Sequence, residues 1–432
     1  MIQRPKGTSD ILPETVANWH FVEDTAREIL DRYRFFEMRT PIFESYDLFS
    51  RGVGETTDVV TKEMYVFEDK GGRRIALRPE GTAPIVRAYI ENKLYGPEFV
   101  KPYKVYYMGP MFRYERPQGG RQRQFHQLGV EVFGGSDAWI DVETIAMAHD
   151  IFKAVGITDL KLVINSLGDT DCRLRYRKAL IDYLTPYEEE LSEDSRRRLH
   201  ENPLRVLDSK EEADKRIVVD APSILDYLSD ESKARFEKVK KYLEALNIEY
   251  VIDPNMVRGL DYYQETIFEM MTEDPVFGAK TTVCGGGNYT GLVQELSDGK
   301  VDVSGFGFAV GMERLLLLME AKNIQAPQTN PLNAFMVTIG EEAEEVAMPL
   351  MQQLRQQGFS VDQDVFGRKP KKQYKEADKR EAELAITIGE EELKNKVATV
   401  KNLKTAHQET FPLNELRDNF AEIYRTMLVE GE

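Results

Sequence analysis

Residues 112–131 read FRYERPQGGRQRQFHQLGVE, a strand, a glycine-rich turn carrying basic groups, and a returning strand. Arg113, Arg116, Arg121 and Arg123 fall within eleven residues, with Gln118, Gly119 and Gly120 between them. Side chains two apart on a strand share a face. Arg113 and Glu115 therefore point one way, as do Phe125, Gln127, Gly129 and Glu131 on the return. In the register that puts both sets on one side, a guanidinium, a carboxylate and an aromatic ring stand together. That combination suits a nucleotide: a planar guanidinium forks onto phosphate oxygens, a ring stacks on a base, and a carboxylate accepts from the base's amine. The glycines leave the hairpin tip free to move when a large ligand arrives. Taken alone, an arginine-rich hairpin is more often ordinary surface, so the rest of the chain has to decide.

The surrounding chain is acidic. Of 432 residues, 57 are Lys or Arg and 74 are Asp or Glu, a net charge of −17. Such a chain repels nucleic acid at long range; a polyanion must be met locally, by the hairpin or by GRKPKKQYK at 367–375. An apolar content of 41% builds a core, but the longest aliphatic run, Leu315–Met319, falls far short of the roughly 20 residues of a membrane span. The opening MIQRPKGTSDILPE has neither the apolar core nor the cleavage pattern of a secretory signal. Cys172 and Cys284 are the only cysteines, too few for a disulfide framework or a multi-cysteine zinc site. The five histidines show no HxxxH or HxH spacing. We expect no tightly bound metal, no membrane association and a cytoplasmic location.

Organisation follows from periodicity. PETVANWHFVEDTAREILDRYRF begins at Pro13 with apolar residues at helical spacing, and FFEMRTPIFE after it is strand-like. RRIALRPEGTAPIVRAYIENKL reads as strand, turn and helix; 137–156 as an amphipathic helix; LKLVINSLG as a strand. From about 171 to 246 the chain is charge-rich with few strand signals, which suggests a helical insertion. Strands return in IEYVIDP, YYQETIFEMM, KTTVCGGGNY and VSGFGFAV, the last before an apolar helix at 311–322. NIQAPQTNPLN (323–333) reads as a linker. Strands and helices then alternate, implying a small α/β domain with a mostly parallel sheet. The expected architecture is an α+β catalytic domain (1–170 and 247–325) with a mostly antiparallel sheet flanked by helices, a helical insertion (171–246), and a C-terminal α/β domain (326–432).

Four further stretches carry chemistry. SGFGFAVGMERLLLLME is GxGxxxG, not the GxGxxG of a dinucleotide fold, and no GxxxxGK[ST] phosphate loop occurs. Arg314 falls in the first turn of the helix after Gly311, where a cation is unfavourable, and so invites an anion; its plain reading is an exposed arginine on a core helix. RGLDYYQETIFE (258–269) sets Arg258, Tyr262 and Tyr263 at a strand start. TTVCGGGNYTGL has three consecutive glycines, which mark close approach of something to the backbone, or simply a turn. LRPEGTAP (77–84) places Glu80, Gly81 and Thr82 at a strand-to-helix turn, where Thr82 is a natural helix cap.

Together these stretches resemble one family over essentially the full length. The segment ending in RTPIFE, the hairpin, and GFGFAVGMERL resemble the three motifs of class II aminoacyl-tRNA synthetases. RGLDYY and VCGGGNYTGL resemble the two motifs particular to the histidyl-tRNA synthetase family, bacterial type, and KGTSDILP matches its opening. The second of those motifs usually continues Arg-Tyr-Asp; this chain has Asn288-Tyr289-Thr290.

The resemblance implies a homodimer built through the first motif, an anticodon-binding C-terminal domain, and a ligase that makes histidyl-adenylate from L-histidine and ATP, with Mg²⁺ held mainly by ATP, and then esterifies the 3′ end of histidine tRNA. By matched position, Arg113 and Arg258 flank the α-phosphate as the catalytic pair. Glu115 meets the adenine amine, Phe125 stacks on adenine, and Arg121 and Arg314 hold the outer phosphates. Glu80, Gly81, Thr82, Gln127, Glu131, Arg258, Tyr262, Tyr263 and Tyr289 surround the histidine. Arg116, Gln118 and Arg123 meet the acceptor end of the tRNA. Two rivals remain: a non-catalytic synthetase-like regulatory subunit of ATP phosphoribosyltransferase, which typically lacks the anticodon domain and the full arginine set, and a class II synthetase for another amino acid, which would lack RGLDYY.

Overall fold

The helical spacing that starts at Pro13 folds as α1 (Pro13–Arg32), with proline in the first turn, where no intrahelical amide bond is lost, and Val22, Ala26, Ile29 and Leu30 buried. The computed structural model describes the chain except residues 56, 136, 328–330 and 430–432. FFEMRTPIFE makes two strands where one was expected. β1 (Phe36–Glu37) joins the main sheet, whereas β2 (Phe43–Ser45) joins a small sheet with β3 (Val66–Glu68) and β4 (Arg74–Leu77). Pro41 between them has no amide to donate to a ladder. α2 (Tyr46–Val53) precedes β3, and α3 (Thr82–Glu91) follows β4. Then come β5 (Tyr103–Phe112), β6 (Gln124–Phe133), α4 (Ala138–Ala154) and β7 (Lys161–Ser166). From there to β8 (Val251–Ile252) the chain is helical, through α5 (Thr170–Leu184), α6 (Glu193–Glu201), α7 (Glu212–Val218) and α8 (Asp230–Ala245). β9 (Gln264–Thr272), β10 (Thr281–Asn288), α9 (Thr290–Leu296), β11 (Gly305–Gly311) and α10 (Met312–Ala321) complete the first of two compact units, Met1–Ala326.

Its eight-stranded sheet runs β1-β5-β6-β11-β10-β9-β7-β8. Only the two short edge pairs, β1 with β5 and β7 with β8, are parallel; every inner pair is antiparallel. Because successive side chains alternate across a strand, Tyr106, Val130 and Phe308 face a core built with α1, α4, α8 and α10, while Val105, Tyr107 and Ile267 face the side of α3, α5 and α9. The second face carries the site.

The other unit, Pro327–Glu432, starts with β12 (Leu332–Thr338), two residues into the stretch read as linker's end. It continues with α11 (Glu341–Gln356), β13 (Val361–Gln363), α12 (Pro370–Lys379), β14 (Ala382–Ile388), α13 (Glu390–Asn395), β15 (Val397–Asn402), β16 (Gln408–Pro412), α14 (Leu413–Asp418) and α15 (Phe420–Val429). The sheet, β13-β12-β14-β15-β16, is mixed and not mostly parallel: β12 runs parallel to β13 and β14, while β14–β15 and β15–β16 are antiparallel. The connections from 389 to 396 and from 403 to 407 are shorter than the dozen or so residues of a parallel crossover. α11 and α15 cover one face and α12 the other. Among the described residues no helix is long and apolar enough to cross a membrane.

Candidate active site

A cleft opens on the α3 side of the main sheet because the middle of that face has almost no side chains. In register across five strands stand Tyr107, Gly129, Ala309, Gly285 and Glu269. Glycine weakens a strand, but here it gives room to neighbours. A Cβ on Gly285 would lie 2.5 Å from Arg258 Nη1, one on Gly129 2.2 Å from the Tyr107 ring, and one on Gly307 2.0 Å from Glu131 Oε2. The triple glycine of 285–287 thus admits a guanidinium over the sheet.

Four arginines, 113, 121, 258 and 314, line this cleft. The β5–β6 register carries Arg113 to the face of Phe125, with its guanidinium 5.3 Å from the ring centre. Its Nε donates to the Pro79 carbonyl at 2.8 Å. Glu115, beyond the end of β5, lies 3.8 Å from Arg113 and 3.5 Å from Arg121. Arg314, in the first turn of α10, donates to the Thr282 carbonyl at 2.6 Å. Burial, helped by the positive charges of Arg121 and Arg113, pushes its pKa down to about 10, so an anion between these groups relieves an unfavourable crowding. Arg258 is ion-paired with Glu269. Burial works most strongly against its charge, but Glu269, Tyr263 and Tyr262 together outweigh that and the net shift is upward. Thr282 Oγ1 also donates to Glu269, at 2.5 Å.

The opposite corner is carboxylate and phenol. Glu80 is buried and accepts from the amides of Thr82 (2.7 Å) and Ala83 (2.8 Å), so it, and not Thr82, caps α3. Thr82 is freed to donate its hydroxyl to Glu131 at 2.7 Å, and Tyr289 donates to the other Glu131 oxygen at 2.5 Å. Burial raises the pKa of both carboxyls, against the bonds they accept. The Tyr262 ring lies 4.7 Å from that of Tyr263, tilted against it, and 5.9 Å from that of Tyr289, edge to face. Gly81 lies beneath the Tyr107 ring, where a Cβ would come within 2.1 Å. Glu80, Thr82, Gln127, Tyr262, Tyr263 and Tyr289 line the cleft; Glu131, expected there as a direct ligand, sits just behind its wall.

The hairpin tip is closed by a backbone turn. Gln118 and Arg121 exchange backbone bonds around Gly120, which has φ of 68° and rests against Arg314. Arg116 and Gln118 are exposed. Arg123 turns away, its guanidinium 3.8 Å from the Tyr114 ring centre and its amide bonded to the Gly7 carbonyl. The Asn288-Tyr289-Thr290 variant closes on itself: Asn288 Oδ1 accepts from the amide (3.1 Å) and hydroxyl (2.6 Å) of Thr290. Sequence reading missed Glu269, Tyr107, Thr282 and Glu313. Glu313 accepts from the His126 amide and lies 2.9 Å from its Nδ1.

A family model described as histidyl-tRNA synthetase matches residues 7–315, and one described as an anticodon binding domain matches 333–423. The histidine–tRNA ligase of Ligilactobacillus salivarius is 55% identical over 431 residues, covering 100% of this chain and 99% of that one. That of Lactiplantibacillus plantarum is 57% identical over 407 residues, covering 94% and 95%. The structure of apo S. aureus histidyl-tRNA synthetase superposes with a TM-score of 0.83 at 44% identity, covering 97% of this chain and 100% of that one. With two units matched, relatives alike end to end and a cleft assembled from the motif residues, the chain belongs to the histidyl-tRNA synthetase family.

Proposed function

We infer that the chain is a histidine–tRNA ligase: it joins L-histidine to ATP as histidyl-adenylate, releasing diphosphate, and passes the histidine to the 3′ end of histidine tRNA. The relatives' full-length identity supports this reading. The observation that carries it is the pairing, in one cleft, of an arginine wall with a buried corner of carboxylates and phenols. Within that corner the Tyr107 hydroxyl, Gln127 Oε1 and, across the cleft, Arg258 Nε find no partner among the described residues, and buried polar groups of this kind are costly until a ligand meets them.

In the proposed mechanism a histidine carboxylate oxygen attacks the α-phosphorus, and the bond to the β-phosphate oxygen breaks. Arg113 and Arg258 approach that phosphate from opposite sides and offset the charge that builds there, as fixed donors in a water-poor site do. Arg121 and Arg314 take the outer phosphates, Phe125 stacks on adenine and Glu115 accepts from its amine. Positioning supplies much of the rate. Glu313, beside Arg314 on the cleft wall, is a hard oxygen donor that would help hold a Mg²⁺ carried by ATP, which would supply positive charge against the β and γ phosphates. Glu80, Gly81, Thr82, Gln127, Tyr262 and Tyr263 surround the amino acid. Glu131, behind the wall, orients Thr82 and Tyr289. A site that hydrogen-bonds both imidazole nitrogens rejects analogues by roughly 10⁴-fold or more. The tRNA 3′ hydroxyl then attacks the acyl carbon and AMP leaves, with Arg116, Gln118 and Arg123 proposed near the acceptor end.

The regulatory-subunit alternative is not favoured, since the relatives are ligases over the full length and the anticodon-type unit is present. A homodimer is proposed through the first-motif region, where Phe36, Ile42, Phe43, Val66 and Phe67 are exposed. The proposed cytosolic setting is one that keeps the free, buried Cys172 and Cys284 reduced. Amino-acid-dependent ATP–pyrophosphate exchange across all twenty amino acids is the test. Exchange with histidine alone is expected; exchange with none, or with another amino acid, would overturn the reading.

A further inference from the structure

Tyr262 and Tyr263 sit at the end of a stretch of irregular backbone, residues 253–263, between β8 and β9. Carbonyls outside a ladder have to find donors elsewhere, and here the donors come from the helices between β7 and β8. Arg173 of α5 donates from Nη1 to the Tyr263 carbonyl at 3.0 Å and from Nη2 to the Asp261 carbonyl at 3.4 Å. One planar fork thus spans the two carbonyls on either side of Tyr262. Asn202, just past α6, donates to the Asp261 carboxylate at 2.7 Å. Thr170, the first residue of α5, accepts from Gln264 at 3.3 Å. The junction also holds an unusual backbone setting. Glu265, two residues beyond Tyr263, has φ of 46°, a left-handed conformation that residues other than glycine seldom adopt and that persists only where the surroundings impose it. Its amide donates to the Gly168 carbonyl at 2.9 Å, its carbonyl accepts from the Leu167 amide at 2.8 Å, and its carboxylate accepts from Ser232 of α8 at 2.8 Å.

We propose that Arg173 and Asn202 are positioning residues for amino-acid selection: from the helices between β7 and β8 they hold the backbone of 261–263, so that the Tyr262 and Tyr263 rings stand at a fixed place in the cleft. This rests on the ligase reading for the identity of the amino acid. Neither side chain is among the residues that line the cleft; both act through the loop. Arg258, earlier in the same stretch, has a separate anchor in Glu269. Losing the Arg173 fork therefore loosens the rings and leaves the guanidinium over the sheet in place. Amino-acid binding and the chemical step become separable, and the helices that carry Arg173 and Asn202 take part in choosing the amino acid before any tRNA binds. A plain scaffold role would instead move both substrates together.

The full-length protein, its Arg173→Ala, Arg173→Lys and Asn202→Ala variants, and the control Lys178→Ala, an exposed position on the same helix, are compared by ATP–pyrophosphate exchange without tRNA. L-Histidine is the substrate, and β-(2-thienyl)alanine, whose ring carries no nitrogen, is the competitor. Arg173→Ala is expected to raise the histidine KM about tenfold, less than the roughly 100-fold that a misplacement of about 1 Å brings. The ATP KM and kcat stay within about twofold, the pattern of lost substrate binding. Histidine's advantage over the competitor falls by a similar factor. Arg173→Lys keeps the charge and one donor and recovers part of the loss; Asn202→Ala moves the same way by less; Lys178→Ala does not move. An unchanged histidine KM in both Arg173→Ala and Asn202→Ala, or histidine and ATP KM rising by the same factor, overturns the proposal. Should Arg173→Ala not fold, the same criterion applies to Arg173→Lys and Asn202→Ala. No exchange in the wild type, with histidine binding by calorimetry still weakened in Arg173→Ala, overturns the ligase reading instead and leaves the positioning role standing.

Discussion

Arg258 and Glu269 form an ion pair across the bare patch of sheet at Gly285. The pair fixes a guanidinium that would otherwise have a flexible three-carbon stem, and it sets that guanidinium over the middle of the cleft floor. A donor held in advance of the reaction costs no reorganisation when charge develops.

Replacing Arg258 with alanine should therefore lower pyrophosphate exchange by at least about 100-fold, the usual scale for losing one charge-stabilising donor, while tRNA affinity stays unchanged. Glu269→Gln keeps the arginine and loses only its anchor, so a smaller loss is expected. Near-normal exchange in Arg258→Ala would remove that residue from the mechanism.

Gly285→Ala tests the same geometry without touching a charge. Its methyl would lie 2.5 Å from Arg258 Nη1, so the guanidinium must shift. A misplacement of about 1 Å commonly costs on the order of 100-fold. Exchange measured at saturating ATP and histidine should fall accordingly, with the melting temperature little changed; wild-type turnover would mean that the arginine moves freely.

Glu80 caps α3 and, in the proposed function, also faces the substrate. Glu80→Ala should cost about 1 kcal/mol of stability as a lost cap, read by chemical denaturation. The histidine KM should rise far more than the ATP KM. Equal loss on both substrates would place Glu80 in the scaffold alone.

Asp141 on α4 is fully buried and bonded to Arg235 of α8 at 2.8 Å. Burial, opposed by that arginine, pushes its pKa up from 3.8 to about 6. A carboxyl with a folded pKa above its unfolded one binds its proton more tightly in the folded state. Its contribution is full below pH 4 and is lost as pH rises through about 6, a swing of about 3 kcal/mol at roughly 1.4 kcal/mol per unit. The stability of the wild type relative to Asp141→Asn should fall across that window; a constant difference from pH 4 to 7 would refute it.

Much of this was readable in the chain. Alternation in β5 and β6 gave the face on which Arg113, Phe125 and Gln127 meet, and the awkward first-turn position of Arg314 pointed to an anion. Glu269 was not readable: it is one glutamate in an ordinary strand, and only the register across β9 and β10 sets it against Arg258. Tyr107 likewise looks like any strand aromatic until Gly81 and Gly129 are found beneath its ring. The choice between Glu80 and Thr82 as cap depends on side-chain direction, which composition does not encode. The mixed sheet of the second unit was missed because β16 is short and half polar, so its hairpin with β15 gave little signal.

Thr82, Glu131 and Tyr289 come from stretches of chain that are distant in sequence, yet one carboxylate spans them. If the proposed histidine pocket is correct, redirecting the enzyme toward a different amino acid has to deal with that tie. Exchanging Thr82 or Tyr289 strands one carboxylate oxygen in a buried corner, and exchanging Glu131 strands two hydroxyls, so a redesign that replaces the trio together avoids the penalty that each single change carries.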